Sequence, residues 1–299
     1  MKPNKVAAVT MAWNSPVLLK KWVEHNAAAY GRENLFVISH GNDPAQAAAA
    51  EGTNYITLPR EFNAEFDAIR WRFLSNYASG LLEYYKVVQV NDVDELIVLD
   101  PEVGTDRKEY LLSLADQGHF APVGYDVLPL NGDQNTLTGL DWSKPLSEQA
   151  PYAVLRARFC KPCIITAPVE MMPGGHSLKH TKFKVDSALM LAHLKLLDSA
   201  LWQSHYDTLA HDARIATRRA RTRDERIPRG IRGFGRGADQ VRALIETGMD
   251  RPFDLKAAPG DAARFLNQRL ELIYEGWRVE PRDEEEYIIR LAPRYMGAF

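Results

Sequence analysis

Apolar positions in the first third of the chain fall into two alternating rhythms. Val6 to Met11 is a short continuous apolar run closed by Trp13-Asn14-Ser15-Pro16, which predicts a strand ending in a turn. Leu18, Leu19, Trp22, Val23 and Asn26 then recur at helical spacing behind Ser15 as cap, with Pro16 in the first turn and Gly31 as the stop. Leu35 to Ser39 reads as a second strand, Ala45 to Ala50 as a short helix after Gly41-Asn42-Asp43-Pro44, and Tyr55 to Leu58 as a third strand. A long helical pattern over Phe62 to Tyr85 leads into a buried strand over Lys86 to Val90. Such alternation predicts an α/β fold whose central sheet is largely parallel, with helices on both faces. Beyond Pro101 the runs shorten, around Phe120 to Leu130, Tyr152 to Arg158, Ile164 to Ala167 and Leu189 to Leu194, so this half is expected to be mixed or antiparallel. A helix capped by Asp198 and further helical stretches near Gln240 and Ala262 complete the reading.

Asn91-Asp92-Val93-Asp94-Glu95 follows directly on the strand Val87-Val88-Gln89-Val90. In an open parallel sheet, ligands bind outside the carboxyl ends of the strands, where these acids fall. Were the stretch strand-like, Asp92 and Asp94 would point to one side and offer hard oxygen ligands to a single Mg²⁺ or Mn²⁺. Such an ion can bridge the two phosphates of a nucleotide diphosphate and neutralise charge as the leaving group departs. The competing reading is a charged turn between Val90 and Leu96.

The stretch from Lys86 to Pro101, a hydrophobic strand, then Asp-Val-Asp-Glu, then Leu-Ile-Val-Leu-Asp-Pro, resembles the metal-binding DxD segment of GT-A glycosyltransferases, especially family 2-like members carrying DxDE. Trp22-Val23-Glu24-His25 and Gly41-Asn42-Asp43 add to the likeness. Gly174-Gly175-His176-Ser177 and Ala192-His193-Leu194-Lys195 extend it more weakly. The resemblance implies a GT-A domain over residues 1–210 and a C-terminal helical extension over 211–299. It implies glycosyl transfer from a nucleotide-sugar, with a UDP-sugar as donor and a hydroxyl of a glycan or glycoconjugate as acceptor. By it, Thr10, Met11, Ala12, Trp13 and Asn14 line the nucleotide together with Asn91, Asp43 accepts a hydrogen bond from the base, and Arg70 sits near the phosphates. Asp92 lies toward ribose and metal, Asp94 is the principal metal ligand, His176 or His193 completes the coordination of Mn²⁺ or Mg²⁺, and Glu95 orients its neighbours.

Transfer with inversion needs a carboxylate to deprotonate the acceptor hydroxyl. Glu170, just before the Gly-Gly-His loop, is the candidate, with a surface acid as the competing reading. Family 2 enzymes carry an acidic pair for this role that has no clear equivalent here, which leaves inversion or retention open.

Charge adds mainly exclusions. With 37 basic and 39 acidic side chains, a formal charge of -2, no whole-molecule field demands nucleic acid. The chain shows no secretory leader pattern and no apolar run long enough to span a bilayer, and its two cysteines exclude a disulfide framework. These features predict a cytoplasmic protein without a transmembrane segment. Phe159-Cys160-Lys161-Pro162-Cys163 imitates the active site of thiol-disulfide oxidoreductases, but Pro168, Pro173 and Gly174-Gly175 interrupt the helix that such a site requires. That oxidoreductase and a noncatalytic nucleotide-sugar-binding protein are the rival readings. Between Arg214 and Arg236 nine arginines meet two acids, a basic loop that suits either a lid over a diphosphate or a solvated face. His205 and His211 are six residues apart, which places them on different helix faces and argues against a shared ion. Trp13, in the first loop, is the tryptophan best placed to stack on a ligand.

Overall fold

The computed structural model describes residues 5–60, 65–131, 137, 139–198, 200, 201, 203, 204, 207, 208, 263, 266–273, 275–280 and 288–299. The basic segment 214–236, His205, His211 and the helix expected near Gln240 lie outside them.

The first half is the α/β unit that the pattern predicts. Strands β1 (Val6–Ala12), β2 (Leu35–His40), β3 (Asn54–Leu58) and β4 (Val87–Val90) are parallel, in the order β3-β2-β1-β4. Every residue of β1 and β4 is buried, which is why both read as unbroken apolar runs rather than alternating ones. Helix α1 (Pro16–Tyr30) buries Leu19, Trp22, Val23, Asn26 and Tyr30 along one stripe. Ser15 stands at its N-cap, yet its hydroxyl donates to the Trp13 carbonyl instead of capping the helix (2.9 Å). Asp43 does cap α2 (Pro44–Ala49), accepting from the amides of Ala45 (2.9 Å) and Gln46 (3.4 Å). Helix α3 (Phe66–Leu81) stops four residues short of Tyr85 because Glu83 and Tyr84 bond three residues back, and this tightened turn feeds β4.

The second half is mixed, as its shorter runs predict. After β5 (Glu95–Leu99) and the short helix α4 (Arg107–Ser113), the long strand β6 (His119–Val127) leads through α5 (Leu146–Gln149) to β7 (Tyr152–Leu155). Next come β8 (Ile164–Ile165), β9 (Leu178–Lys179) and β10 (Phe183–His193). Strand β8 pairs antiparallel with β4 and β6, while β10 lies parallel to β6 and antiparallel to β5. That last register sets His193 opposite Glu95, so an acid from one end of the chain's core meets a histidine nearly a hundred residues away.

Where the helical extension was expected, the described part of the C-terminal segment holds more strand than helix. Residues 263, 266 and 267 are helical, whereas β11 (Leu270–Ile273) and β12 (Gly276–Val279) form a separate three-stranded sheet with β9, and β13 (Ile288–Arg290) joins the large sheet beside β7. Arg294 forks onto Asp100 at the end of β5 (2.8 and 2.9 Å), and the Tyr295 hydroxyl donates to the same carboxylate (3.0 Å).

One close approach fixes how the site is supported. The helical turn Ala157–Phe159 crosses directly over Gly124 of β6, where an added Cβ would lie 2.3 Å from the Phe159 carbonyl carbon. Only glycine admits that backbone. Gly124→Ala is expected to lower stability by about 3 kcal/mol through overpacking, read as a fall in the urea midpoint at constant slope.

Candidate active site

The acids gather where β4 ends, and the backbone between them is a turn rather than the strand-like stretch expected. Asn91 closes it. Its buried amide donates to the carbonyls of Glu95 (2.6 Å) and Asp92 (3.1 Å), and the Glu95 amide donates to the Asp92 carbonyl (3.1 Å). Gln89 holds Asn91 in turn, donating to its Oδ1 (2.8 Å), and the Tyr30 hydroxyl donates to Gln89 (2.8 Å). Asn91 is therefore spent on the fold of the loop. Because the chain turns here, Asp92 and Asp94 diverge to different partners instead of sharing one side.

Asp92 faces two cations. The Arg70 guanidinium of α3 donates to Oδ1, and the Lys161 ammonium donates to Oδ2 (2.7 Å). Burial opposes its charge, but Arg70 and Lys161 hold this carboxyl well below the usual carboxylate range. Glu95 is sealed from solvent: the Lys161 ammonium pairs with Oε1 by charge at 2.5 Å without hydrogen-bond geometry, and the Asp92 amide donates to Oε2 at 3.0 Å. Burial, with Asp92 and Asp94 nearby, pushes the Glu95 carboxyl up against the pull of Lys161. Lys161 itself, though burial works against its charge, is held above the ordinary lysine value by Asp92 and Glu95.

Asp94 faces the other way, toward His193 at the end of β10. Its Oδ2 lies 3.6 Å from His193 Nε2, and its side chain keeps 18% of its surface open to solvent. His193 Nδ1 donates to Asp126 of β6, and Arg156 Nε sits 3.5 Å from the second oxygen of Asp126. Burial alone would lower the imidazole, but Asp126 and then Asp94 outweigh it and raise His193 to about 9. Asp94, opposed by burial and favoured by His193, is lowered to about 2.

Ligand atoms of Asp94, Glu95 and His193 all lie within 4.8 Å of one another. Since both Glu95 oxygens are already engaged, Asp94 and His193 are the available donors of the three. The Asp94 oxygen suits Mn²⁺ or Mg²⁺, and His193, oriented by Asp126 in the carboxylate–histidine pairing that commonly backs a metal ligand, would join it as a nitrogen ligand only on losing its Nε2 proton to the incoming ion. The donor set fits the ion that the sequence predicts, although Asp92 is tied to cations.

The remaining expected residues are dispersed. His176 packs against Gly174, where a Cβ would meet its Cδ2 at 2.6 Å, and its Nδ1–H donates to the Arg158 carbonyl (2.6 Å). Burial and the Lys161 charge lower it to about 3, so it is a neutral imidazole. Both histidines rest on the Phe159 ring, His193 stacked at 4.1 Å and His176 tilted at 6.3 Å, but His193 alone has its nitrogen among the carboxylates. The Gly-Gly pair thus serves close packing: Gly175 lies under Trp71, where a Cβ would meet the indole at 2.3 Å. Glu170 is at the surface beside Lys179 (3.4 Å), its side chain 55% exposed. Thr10, Met11 and Ala12 are buried in β1, and the Thr10 hydroxyl has no hydrogen-bond partner among the described residues. Trp13 and Asn14 form the loop proper, with Asn14 left-handed at φ 48°. The Arg60 guanidinium lies 3.4 Å over the Trp13 ring and meets His40 Nδ1 at 3.2 Å, and His40 stacks on Phe66 at 4.4 Å. A flat cationic and aromatic surface therefore rims the carboxyl ends of β1 and β2.

Cys160 and Cys163 are buried and unpaired, and no helix follows them: the next element is β8. Burial raises Cys160 to about 12 and Cys163 further, the reverse of what a reactive thiolate needs. The segment matters for its lysine instead. Sequence reasoning missed Lys161 and Asp126. A lone lysine in the apolar run Phe159 to Ile165 was the available sign of the first, and Asp126, at the end of an apolar run, gave none.

No family model matches this chain, and no curated protein matches it. Solved structures align with part of it. One is CMP:2-keto-3-deoxy-manno-octonic acid synthetase with CTP, 16% identical over 41% of this chain and 52% of that one, at a TM-score of 0.27. A cytidylyltransferase from Leptospira borgpetersenii is 14% identical over 44% and 56%, at 0.25. The galactosyltransferase LgtC, solved with donor and acceptor sugar analogs, is 22% identical over 39% and 46%, at 0.23. The chain spans about half the length of each.

Proposed function

We propose that this chain is a metal-dependent glycosyltransferase of the GT-A type, moving a sugar from a UDP-sugar to a hydroxyl of a glycan or glycoconjugate. The observation that carries the reading is the pair Asp94 and His193 at the carboxyl end of a parallel sheet, with Asp126 fixing the histidine. Asp94 and His193 would hold Mn²⁺ or Mg²⁺. When bound, such an ion supplies Lewis-acid neutralisation of the diphosphate as it departs.

The protein's own groups do the rest. Asp126 accepts the Nδ1 proton of His193 and so turns Nε2 toward Asp94. Arg70, anchored on Asp92, brings a fixed positive charge to the same mouth, where a leaving diphosphate gains most from it. Trp13 and Arg60 offer the stacking face for a base. Glu170, at the surface beside Lys179, remains the candidate base for the acceptor.

The test is calorimetric titration of UDP into the protein with Mn²⁺ and again with EDTA, followed by a screen of UDP-sugars for turnover. Binding is expected with Mn²⁺ and is expected to fall at least about tenfold with EDTA. Equal binding in both, or none with any nucleoside diphosphate, would overturn the metal-dependent reading. No described helix is long and apolar enough to cross a membrane.

A further inference from the structure

The geometry points to Lys161 as a positioning residue for the acid loop: its ammonium ties Asp92 to Glu95, and by committing those two carboxylates to each other it leaves Asp94 free to face His193. This rests on the proposed role of Asp94 and His193 and deepens it. The nitrogen lies 2.7 Å from Asp92 Oδ2 and 2.5 Å from Glu95 Oε1, and the lysine side chain is 6% exposed. The two acids sit at opposite ends of the turn that carries Asp94, so a single cation clamps the turn from within.

The clamp arrives on a rigid mount. The turn Ala157–Phe159 is pressed against Gly124, Cys160 Sγ lies 3.4 Å from the Gly124 amide as its acceptor, and the Cys163 carbonyl accepts from Val90 at the end of β4 (2.8 Å). Both cysteines are small buried groups on either side of Lys161, so the motif that resembles a redox centre is the anchorage of a buried cation. Three carboxylates within four positions repel one another strongly in a dry site. A fixed ammonium removes that repulsion for two of them and leaves the third, Asp94, partly open to solvent for an ion.

The test compares wild type with Lys161→Met in two measurements. In the first, amide exchange is followed at Asp92 and Glu95, with Ala8 and Val37 of the central strands as internal references. In the second, Mn²⁺-dependent UDP affinity is measured by calorimetry. The Met variant is expected to speed exchange at Asp92 and Glu95 by about tenfold or more with the references unmoved, and to weaken Mn²⁺-dependent UDP binding by about 10- to 100-fold. Should Lys161→Met fail to fold, Lys161→Met/Glu95→Gln removes the sealed charge together with its partner and is expected to show the same loss of affinity. Unchanged exchange, or faster exchange with affinity kept within about twofold, would overturn the proposal. If wild type itself binds no UDP with Mn²⁺, the glycosyltransferase reading fails by itself, and loop exchange alone decides whether Lys161 sets the turn.

Discussion

Replacing Asp94 with alanine is expected to abolish Mn²⁺-dependent UDP binding and to lower kcat/KM for a UDP-sugar by about 100-fold or more. Asp94 is the partly exposed oxygen donor of the cluster, and His193 Nε2 lies 3.6 Å from its Oδ2. Asp126→Asn should cost less, about 10- to 100-fold in metal affinity, because it disturbs the orientation of His193 without removing a ligand. Titrating Mn²⁺ and UDP into both variants separates the two roles. An Asp94→Ala protein that binds UDP as wild type does in Mn²⁺ would remove Asp94 from the site.

In EDTA the protein should lose stability as pH rises from about 6.5 to about 9, and His193→Gln should lose much less over the same interval. The sign follows from His193: folding raises its pKa from an ordinary value near 6.5 to about 9, so the folded state binds that proton more tightly than the unfolded chain. The contribution is complete below the unfolded value and vanishes as pH passes the folded one. A difference of this size corresponds to roughly 3 kcal/mol. Lys195, lowered by burial, pulls in the opposite direction in both proteins, so the difference between wild type and variant isolates His193. Urea unfolding at several pH values reads it directly, and parallel curves for the two proteins would rule out the paired, protonated imidazole.

The sequence carries the elements that are defined locally. The unbroken apolar runs of β1 and β4, the stripe of Leu19, Trp22, Val23 and Asn26, and the acids at the end of β4 are visible because each is written in consecutive residues. Direction within the acid loop is not. Whether Asp92 and Asp94 share a side depends on Asn91 closing a turn, and that depends on Gln89 and Tyr30, which meet it only in the folded sheet. Lys161, Asp126 and His193 reach the site through β8, β6 and β10, whose pairing is non-local and whose register no period reveals. The C-terminal strands escape notice for the same reason: β12 and β13 are short and gain their order from β9 and β7.

The anchorage of Lys161 also makes the protein convenient to watch. Its only two cysteines are both buried, so the native molecule presents no thiol to an alkylating dye. Labelling can proceed only when the segment around residues 160–163 opens, and its rate becomes a clock for the support beneath the acid loop. A cysteine introduced on the surface, at exposed Tyr84 for example, would take the dye alone and report on the rest of the molecule without interference from within.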